Sequence, residues 1–389
     1  MKSLPPISQA FSVKYEYKLH FTEHLFALDN ELFLNIIKDY KDGESTKIIF
    51  IIDDEVANAH PKIVEEIESY CSQNVSEIQL MQILVVKGGE ASKNNYSNVK
   101  KIVAGINDNA ICRHSFVAAI GGGALIDMVG YAAAIAHRGV KLIRIPTTVL
   151  SQNDAAVGVK NGINEFDKKN FLGTFAPPFA IINDFNFLKT LDQRDWISGI
   201  AEAIKVALIK DEVFFEYIKK HTKALANREK EPMAHVIYKC AEMHMQHIAQ
   251  GGDPFESGSS RPLDFGHWAA HKLEQITNYD LRHGEAVAMG IALDVTYAQM
   301  IGLISMDTLN TILNVLEEIG FDLKIPINNH SKVEELLKGI QEFREHLGGE
   351  LTITLISKIG VKHDVHTIDM EKMRASIALR SIGKEELSC

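Results

Sequence analysis

The segment SFVAAIGGGALIDMVGYAAA, residues 115–134, constrains the fold more than any other part of the chain. A buried-type apolar run meets three consecutive glycines and then a helical pattern, which is how a strand, a tight turn and a helix are written in sequence. Gly121, Gly122 and Gly123 allow backbone N–H groups to approach a phosphate at the positive end of the helix. The turn is not GxGxxG, and glycines here also serve plain packing, so by itself it leaves both readings open.

Its neighbours extend the argument. KIIFIIDDEV (47–56), MQILVVKGGE (81–90) and VKLIRIPTTVL (140–150) read as further strands. PKIVEEIESYCSQ (61–73) and NYSNVKKIVAGINDN (95–109) between them have helical spacing. Alternating strand and helix predict an α/β fold, a Rossmann-like parallel sheet covered by helices on both faces. Asp53 ends one strand, and Glu90 with Lys93 follows another, where ribose hydroxyls and a pyrophosphate need an acceptor and a cation. A dinucleotide is the natural ligand of such a set.

From about residue 193 strands nearly vanish and long helical patterns take over, with one late strand in ELTITLISKIG (350–360). The chain of 389 residues is too long for one ordinary core. Two domains are expected, residues 1–192 as the dinucleotide-binding α/β part and 193–389 as a mostly helical part. A formal net charge of −10 argues against a nucleic-acid or anionic-membrane surface, so an anionic ligand must be met by a local cluster of Lys and Arg. Four scattered cysteines without a CxxC pair suit neither a disulfide frame nor a thiolate metal site. With no apolar run of about 18 residues, a cytoplasmic protein is expected.

RPLDFGHWAAHKLE (261–274) places His267 and His271 four apart, on one face of a helix, and His283 follows in LRHGEAVAMG. The spacing lets His267 and His271 grip one ion, but an isolated HxxxH is more often core or surface.

GGEASK, GGGALID, IPTTVLSQNDAAVGVKNGIN, GIAEAIK, DFGHWAAH and HGEAVAMG occur in the order seen in the 3-dehydroquinate synthase family of sugar-phosphate cyclases. The resemblance runs from about residue 50 to 360. It implies a homodimeric enzyme that holds NAD in the first domain and a divalent metal, usually zinc and otherwise cobalt, in the second. Carried over by position, Asp53, Glu90, Lys93, Gly122, Gly123, Asp127, Thr147 and Thr148 match NAD contacts, and Lys169 is shared with the substrate. Glu202, His267 and His283 match the metal ligands, a set that leaves zinc an open position. Lys160, Lys169, Asn170, Lys205 and Arg138 match positions around a small-molecule sugar phosphate, Arg138 reaching across the dimer. Asp154 would orient the lysines or metal-bound groups, and His271 matches a histidine that touches substrate rather than metal.

The chain also departs from the family. Asp264 stands where dehydroquinate synthases have Asn before FGH. With Gly258 aligned without a gap, a family Arg falls on Ser260 and a family Lys on Gln246. Those cations partner the substrate carboxylate, and a buried carboxylate without its cation is costly. The expected substrate therefore carries a neutral hydroxymethyl group, as sedoheptulose 7-phosphate does, and the pattern is more similar to the valiolone-type branch. Arg261 lies one position from the missing Arg, and Arg344 or His346 stands where a C-terminal family Lys is lost. Retained His271 differs from the epi-epi branch, which usually has Pro there. Dehydroquinate synthase proper, a zinc-dependent polyol or glycerol-phosphate dehydrogenase, and a non-catalytic binding protein remain as rival readings.

Overall fold

The computed structural model describes residues 5–40, 45–166, 168–251, 255, 262–346 and 351–381. The first half runs β1 (Lys18–Thr22), α1 (Leu32–Tyr40), β2 (Thr46–Asp53), α2 (Asp54–Ala59), α3 (Ile63–Gln73), β3 (Ile78–Val86), α4 (Tyr96–Asp108), β4 (Phe116–Gly121), α5 (Gly123–Ile135) and β5 (Lys141–Pro146). It continues with β6 (Lys160–Glu165), β7 (Lys168–Phe175) and β8 (Ala180–Asp184). Six strands form one sheet in the order β1-β8-β5-β4-β2-β3, and every pairing in it is parallel.

Side-chain alternation explains why both faces are covered. Ile48, Phe50 and Ile52 of β2 join Phe33, Ile37, Ile67 and Tyr70 from α1 and α3 on one face. Ile49 and Ile51 join Ile102, Ile106, Ile126 and Val129 from α4 and α5 on the other. A strand that is apolar at every position has to be buried on both sides. The four strands expected from sequence are all present, and β8 and then β1 extend the sheet beyond β5. β6 and β7 form a separate antiparallel hairpin that sequence patterning did not reveal.

The second half contains α6 (Gln193–Lys210), α7 (Glu212–Lys220), α8 (Thr222–Ala226), α9 (Lys230–Gln250), α10 (His267–Ile276), α11 (His283–Met300), α12 (Met306–Ile319) and α13 (His330–His346). The ribbon β9 (Ile353–Lys358) and β10 (Val361–Val365) and the helix α14 (Met370–Arg380) follow. The helical stretch 212–227 breaks at His221 into α7 and α8. Among the described residues no helix is long and apolar enough to cross a membrane.

Two helices run through the middle of this half. α6 buries every residue from Trp196 to Ile209, and α11 every residue from Ala286 to Ala298; a helix buried all round is a core helix. The start of α10 is pressed against α11. Gly266 sits at φ 77, and a Cβ added at Gly290 would lie 2.0 Å from the Gly266 carbonyl oxygen. Asp294 fixes the same junction, accepting from Gly266 N at 3.0 Å and Trp268 Nε1 at 2.9 Å. This packing places His267 and His283, each the first residue of its helix, side by side.

Burial pushes the Asp294 carboxyl up to about 7 despite those two donors. The folded chain then keeps a proton that the unfolded chain releases near pH 4, so the stability contributed falls as pH rises from about 4 to about 7, by a few kcal/mol. Thermal midpoints of the protein and of Asp294→Asn across that range should converge as pH rises toward 7 if the variant is the less stable at pH 4, or diverge in the variant's favour if it starts level. Parallel profiles would contradict a neutral Asp294.

Candidate active site

Glu202 organises the site. It lies in the buried middle of α6 with no exposed surface, and its Oε1 is 3.4 Å from His267 Nε2 and 3.4 Å from His283 Nε2. Its Oε2 pairs with Lys205, one helical turn on. Neither carboxylate oxygen receives a well-aligned hydrogen bond. Burial alone would raise the Glu202 carboxyl, but the Lys205 ammonium and the two imidazoles hold it well below the usual carboxylate range. Burial likewise opposes charge on Lys205, and Glu202, Asp154 and Asp264 hold it well above its ordinary value.

The other ring nitrogens are anchored. His267 Nδ1 is 3.0 Å from the Phe265 carbonyl oxygen, and His283 Nδ1 is 3.1 Å from Glu274 Oε2. Both Nε2 atoms are thereby aimed at one point, and one donor atom from each of Glu202, His267 and His283 lies within 4.8 Å of the others. A buried carboxylate without aligned donors, facing two imidazole nitrogens, is a donor set that fits a divalent cation and leaves a coordination position open. One donor atom from each of His271, Glu274 and His283 also lies within 4.8 Å of the others. In that group, however, Glu274 already spends its oxygens on His283 and on Lys169 Nζ, 3.1 Å away. Glu202 Oε1, which faces only the two imidazole nitrogens, therefore favours the set built on Glu202. Burial opposes charge on His283, yet Glu274 and Glu202 hold it up to about 9, and a cation entering there takes the place of a proton.

His271 is solvent-accessible at the rim of this cluster, its ring 5.4 Å from that of His267 and 5.9 Å from that of His283. Desolvation by the surrounding protein, then the neighbouring imidazoles and Lys169, hold its pKa well below the ordinary value. A neutral imidazole there can accept a proton.

The nucleotide-type residues gather at the C-terminal edge of the sheet, the usual crevice of parallel α/β folds. Asp53 ends β2 and caps α2 by accepting from Glu55 N at 3.0 Å, and burial pushes its carboxyl up to about 6. Gly122 caps α5 and Gly123 begins it. The glycine at 123 is required by close approach, since a Cβ there would lie 2.9 Å from Ala155 Cβ. Thr147 N donates to the Gly121 carbonyl at 3.0 Å, and Thr148 Oγ1 lies 2.8 Å from Ser151 Oγ. Lys93, 2 % exposed, joins Asp127 at 2.9 Å, Glu90 at 3.8 Å and the Asn170 side chain. Lys169 and Asn170, on β7, thus connect the hairpin to both clusters. A cleft of about 300 Å³ lies beside them, lined by Asn94, Asn164, Lys168, Lys169, Gln275 and Tyr279.

Asp154 sits in a single π-turn, Ser151–Ala155, 2.9 Å from His244 Nδ1. Lys160 opens β6. Asp264 is half-buried in a 3₁₀ turn near Lys205. Arg138 stands apart. It is exposed in the turn beyond the far end of α5, and 13 residues of helix put roughly 20 Å between that end and the glycine turn. Gln246 and Arg344 are exposed; Gly258, Ser260, Arg261 and the side chain of His346 lie outside the described residues.

Three contributors escaped the sequence reading. Glu274 touches both His283 and Lys169. His244 pairs with Asp154. The buried guanidinium of Arg144 donates to the carbonyls of Ala156 and Lys160 and to Asn161 Oδ1 at 2.8, 3.2 and 2.7 Å, pinning the loop between Asp154 and Lys160. The seven-residue step from His267 to Glu274, two turns along one helix face, was the available signal for the first.

Residues 83–198 match the 3-dehydroquinate synthase N-terminal family profile, and residues 199–344 match the 3-dehydroquinate synthase C-terminal profile. A 3-dehydroquinate synthase from Alkaliphilus metalliredigens (strain QYMF) is 32% identical over 295 residues, covering 75% of this chain and 81% of the relative. Among solved structures, 2-epi-5-epi-valiolone synthase from Streptomyces hygroscopicus subsp. jinggangensis 5008, with NAD+ and Zn2+ bound, superposes with a TM-score of 0.84 at 26% identity, covering 96% of this chain and 98% of that one. A 2-deoxy-scyllo-inosose synthase complexed with carbaglucose-6-phosphate, NAD+ and Co2+ superposes at 0.75 over 93% of this chain and 96% of its own, and at 21% identity shares the fold.

Glu202→Gln should lose a divalent ion on dialysis, a greater loss than the roughly 10–100-fold typical of an outer partner, whereas His271→Ala should keep one ion per chain by elemental analysis. Retention by the first variant or loss by the second would reassign the ligands.

Proposed function

The chain belongs to the 3-dehydroquinate synthase family, and we propose that it is a sugar-phosphate cyclase, a carbon–oxygen lyase that eliminates phosphate from a heptulose 7-phosphate such as sedoheptulose 7-phosphate and closes the remainder to a carbocycle. The observation that carries the proposal is the buried Glu202 set facing His267 and His283, with Lys169, Lys205 and His271 around it. In this reading the alcohol is transiently oxidised, phosphate leaves by β-elimination, the ketone is reduced again, and an intramolecular aldol step closes the ring.

NAD, when bound, accepts and returns the hydride, and a divalent cation, zinc in our reading and cobalt as the alternative, supplies Lewis acidity toward a hydroxyl. Glu202, His267 and His283 hold the cation. Asp53, Glu90, Lys93, Gly122, Gly123, Asp127, Thr147, Thr148 and Lys169 hold NAD. The remaining work belongs to side chains that bind and orient. Lys205 and Lys160 meet developing oxyanions, and Asp154 orients them. Lys169 and Asn170 bind the substrate phosphate. His271, held neutral, takes a proton at its exposed edge.

The substrate class rests on Asp264, Ser260 and Gln246. A carboxylate beside Lys205 in place of an amide disfavours an anionic substrate group there, and Gln246 carries no charge to partner one. Similarity to the valiolone synthase structure favours the same class. Dehydroquinate synthase proper, acting on 3-deoxy-arabino-heptulosonate 7-phosphate, is the second reading, favoured by the names of the sequence relatives. Arg138, exposed and remote from its own site, fits a cytosolic homodimer in which it serves the neighbouring copy.

With NAD and zinc or cobalt, sedoheptulose 7-phosphate should release inorganic phosphate and give a cyclic product by mass, without net NADH. Turnover of the carboxylated sugar alone would overturn the substrate assignment. NADH accumulating with a polyol, with no phosphate released from either sugar, would identify a dehydrogenase on this scaffold instead.

A further inference from the structure

α10 presents three functional side chains on one stripe. His267, His271 and Glu274 are spaced i, i+4, i+7, so they stack along a single helix face. Glu274 is 4 % exposed, and its carboxylate bridges the two halves of the molecule. Oε2 accepts from His283 Nδ1 at 3.1 Å, and Lys169 Nζ donates to Oε1 at 3.1 Å and more loosely to Oε2 at 3.5 Å. His283 heads α11, whereas Lys169 lies on β7 of the hairpin.

We propose that Glu274 is a positioning residue, the outer carboxylate of the metal centre, and that it couples ion binding at His283 to anion binding at Lys169. The proposal rests on the assignment of Glu202, His267 and His283 as ligands made above. The two imidazoles are not equivalent. His267 is anchored by a neutral carbonyl, but His283 is anchored by a carboxylate, which fixes the tautomer with Nε2 free toward the ion and makes that nitrogen more basic. Lys169 draws on the same carboxylate. An anion that engages Lys169 weakens this draw, leaves more of Glu274's charge for His283, and so tightens the ion. By linkage, the ion tightens the anion by the same factor. One buried side chain then ensures that the metal is held most firmly when the phosphate-binding lysine is occupied.

The test measures cobalt affinity of the full chain by competition with a chromogenic chelator, together with the visible spectrum of the bound cobalt, with and without inorganic phosphate. Glu274→Gln should weaken cobalt binding by about 10–100-fold and shift the spectrum. Phosphate should tighten cobalt on the unaltered protein by roughly 5-fold or more, and this gain should vanish in Glu274→Gln and in Lys169→Met. Unchanged affinity and spectrum in Glu274→Gln, or an equal phosphate effect in all three proteins, would overturn the proposal. If Glu274→Gln does not fold, Lys169→Met decides alone, loss of the phosphate effect supporting the coupling and its persistence refuting it. Failure of the unaltered protein to bind cobalt or zinc would instead overturn the ligand assignment itself.

Discussion

The site depends on one unfavourable act, the burial of the Glu202 carboxylate in the middle of α6. An isolated buried carboxylate is too costly to persist, so its surroundings must supply positive charge. Lys205 comes from the same helix, and His267 and His283 come from two others that begin at the point of contact. The packing of the helical half meets that requirement. α6 and α11 run buried through its core, and the glycine contact between 266 and 290 sets α10 against α11 closely enough for both imidazoles to reach one oxygen.

The sheet contributes by a different logic. Parallel strands deliver every loop from their C-terminal ends to one edge, so Asp53, the glycine turn and Thr147 with Thr148 share a crevice without being near in sequence. The hairpin of β6 and β7 then carries Lys169 and Asn170 from this half to the metal-type cluster, joining Lys93 on one side and Glu274 on the other. The Asp154 loop completes the wall, its backbone tied down by the buried Arg144.

Much of this was legible in the chain because periodicity reports burial. β2 and β4 are apolar at nearly every position, and the triple glycine marks the turn between strand and helix. β8 is short and follows two prolines, while β1, KLHFT, has mixed burial and pairs only at the sheet edge, so neither carries a strong pattern. The hairpin is exposed on much of β7 and rich in polar residues, which reads as loop. Spacing alone left open whether His267 and His271 share an ion. The third dimension brings His267 and His283, from two helices, to one Glu202 oxygen and leaves His271 exposed at the rim. His244 acts through Asp154, a contact distant in sequence, whereas Glu274 and Arg144 act through partners that no spacing rule pairs with them.

The central claim is that Glu202, His267 and His283 hold one divalent ion. Anomalous diffraction at the zinc absorption edge, from crystals grown with zinc and NAD, tests it most directly. One strong peak is expected about 2.0–2.2 Å from a Glu202 oxygen and from Nε2 of both histidines. A peak among His271, Glu274 and His283, or no peak between Glu202 and the imidazoles at full zinc occupancy elsewhere, would contradict it.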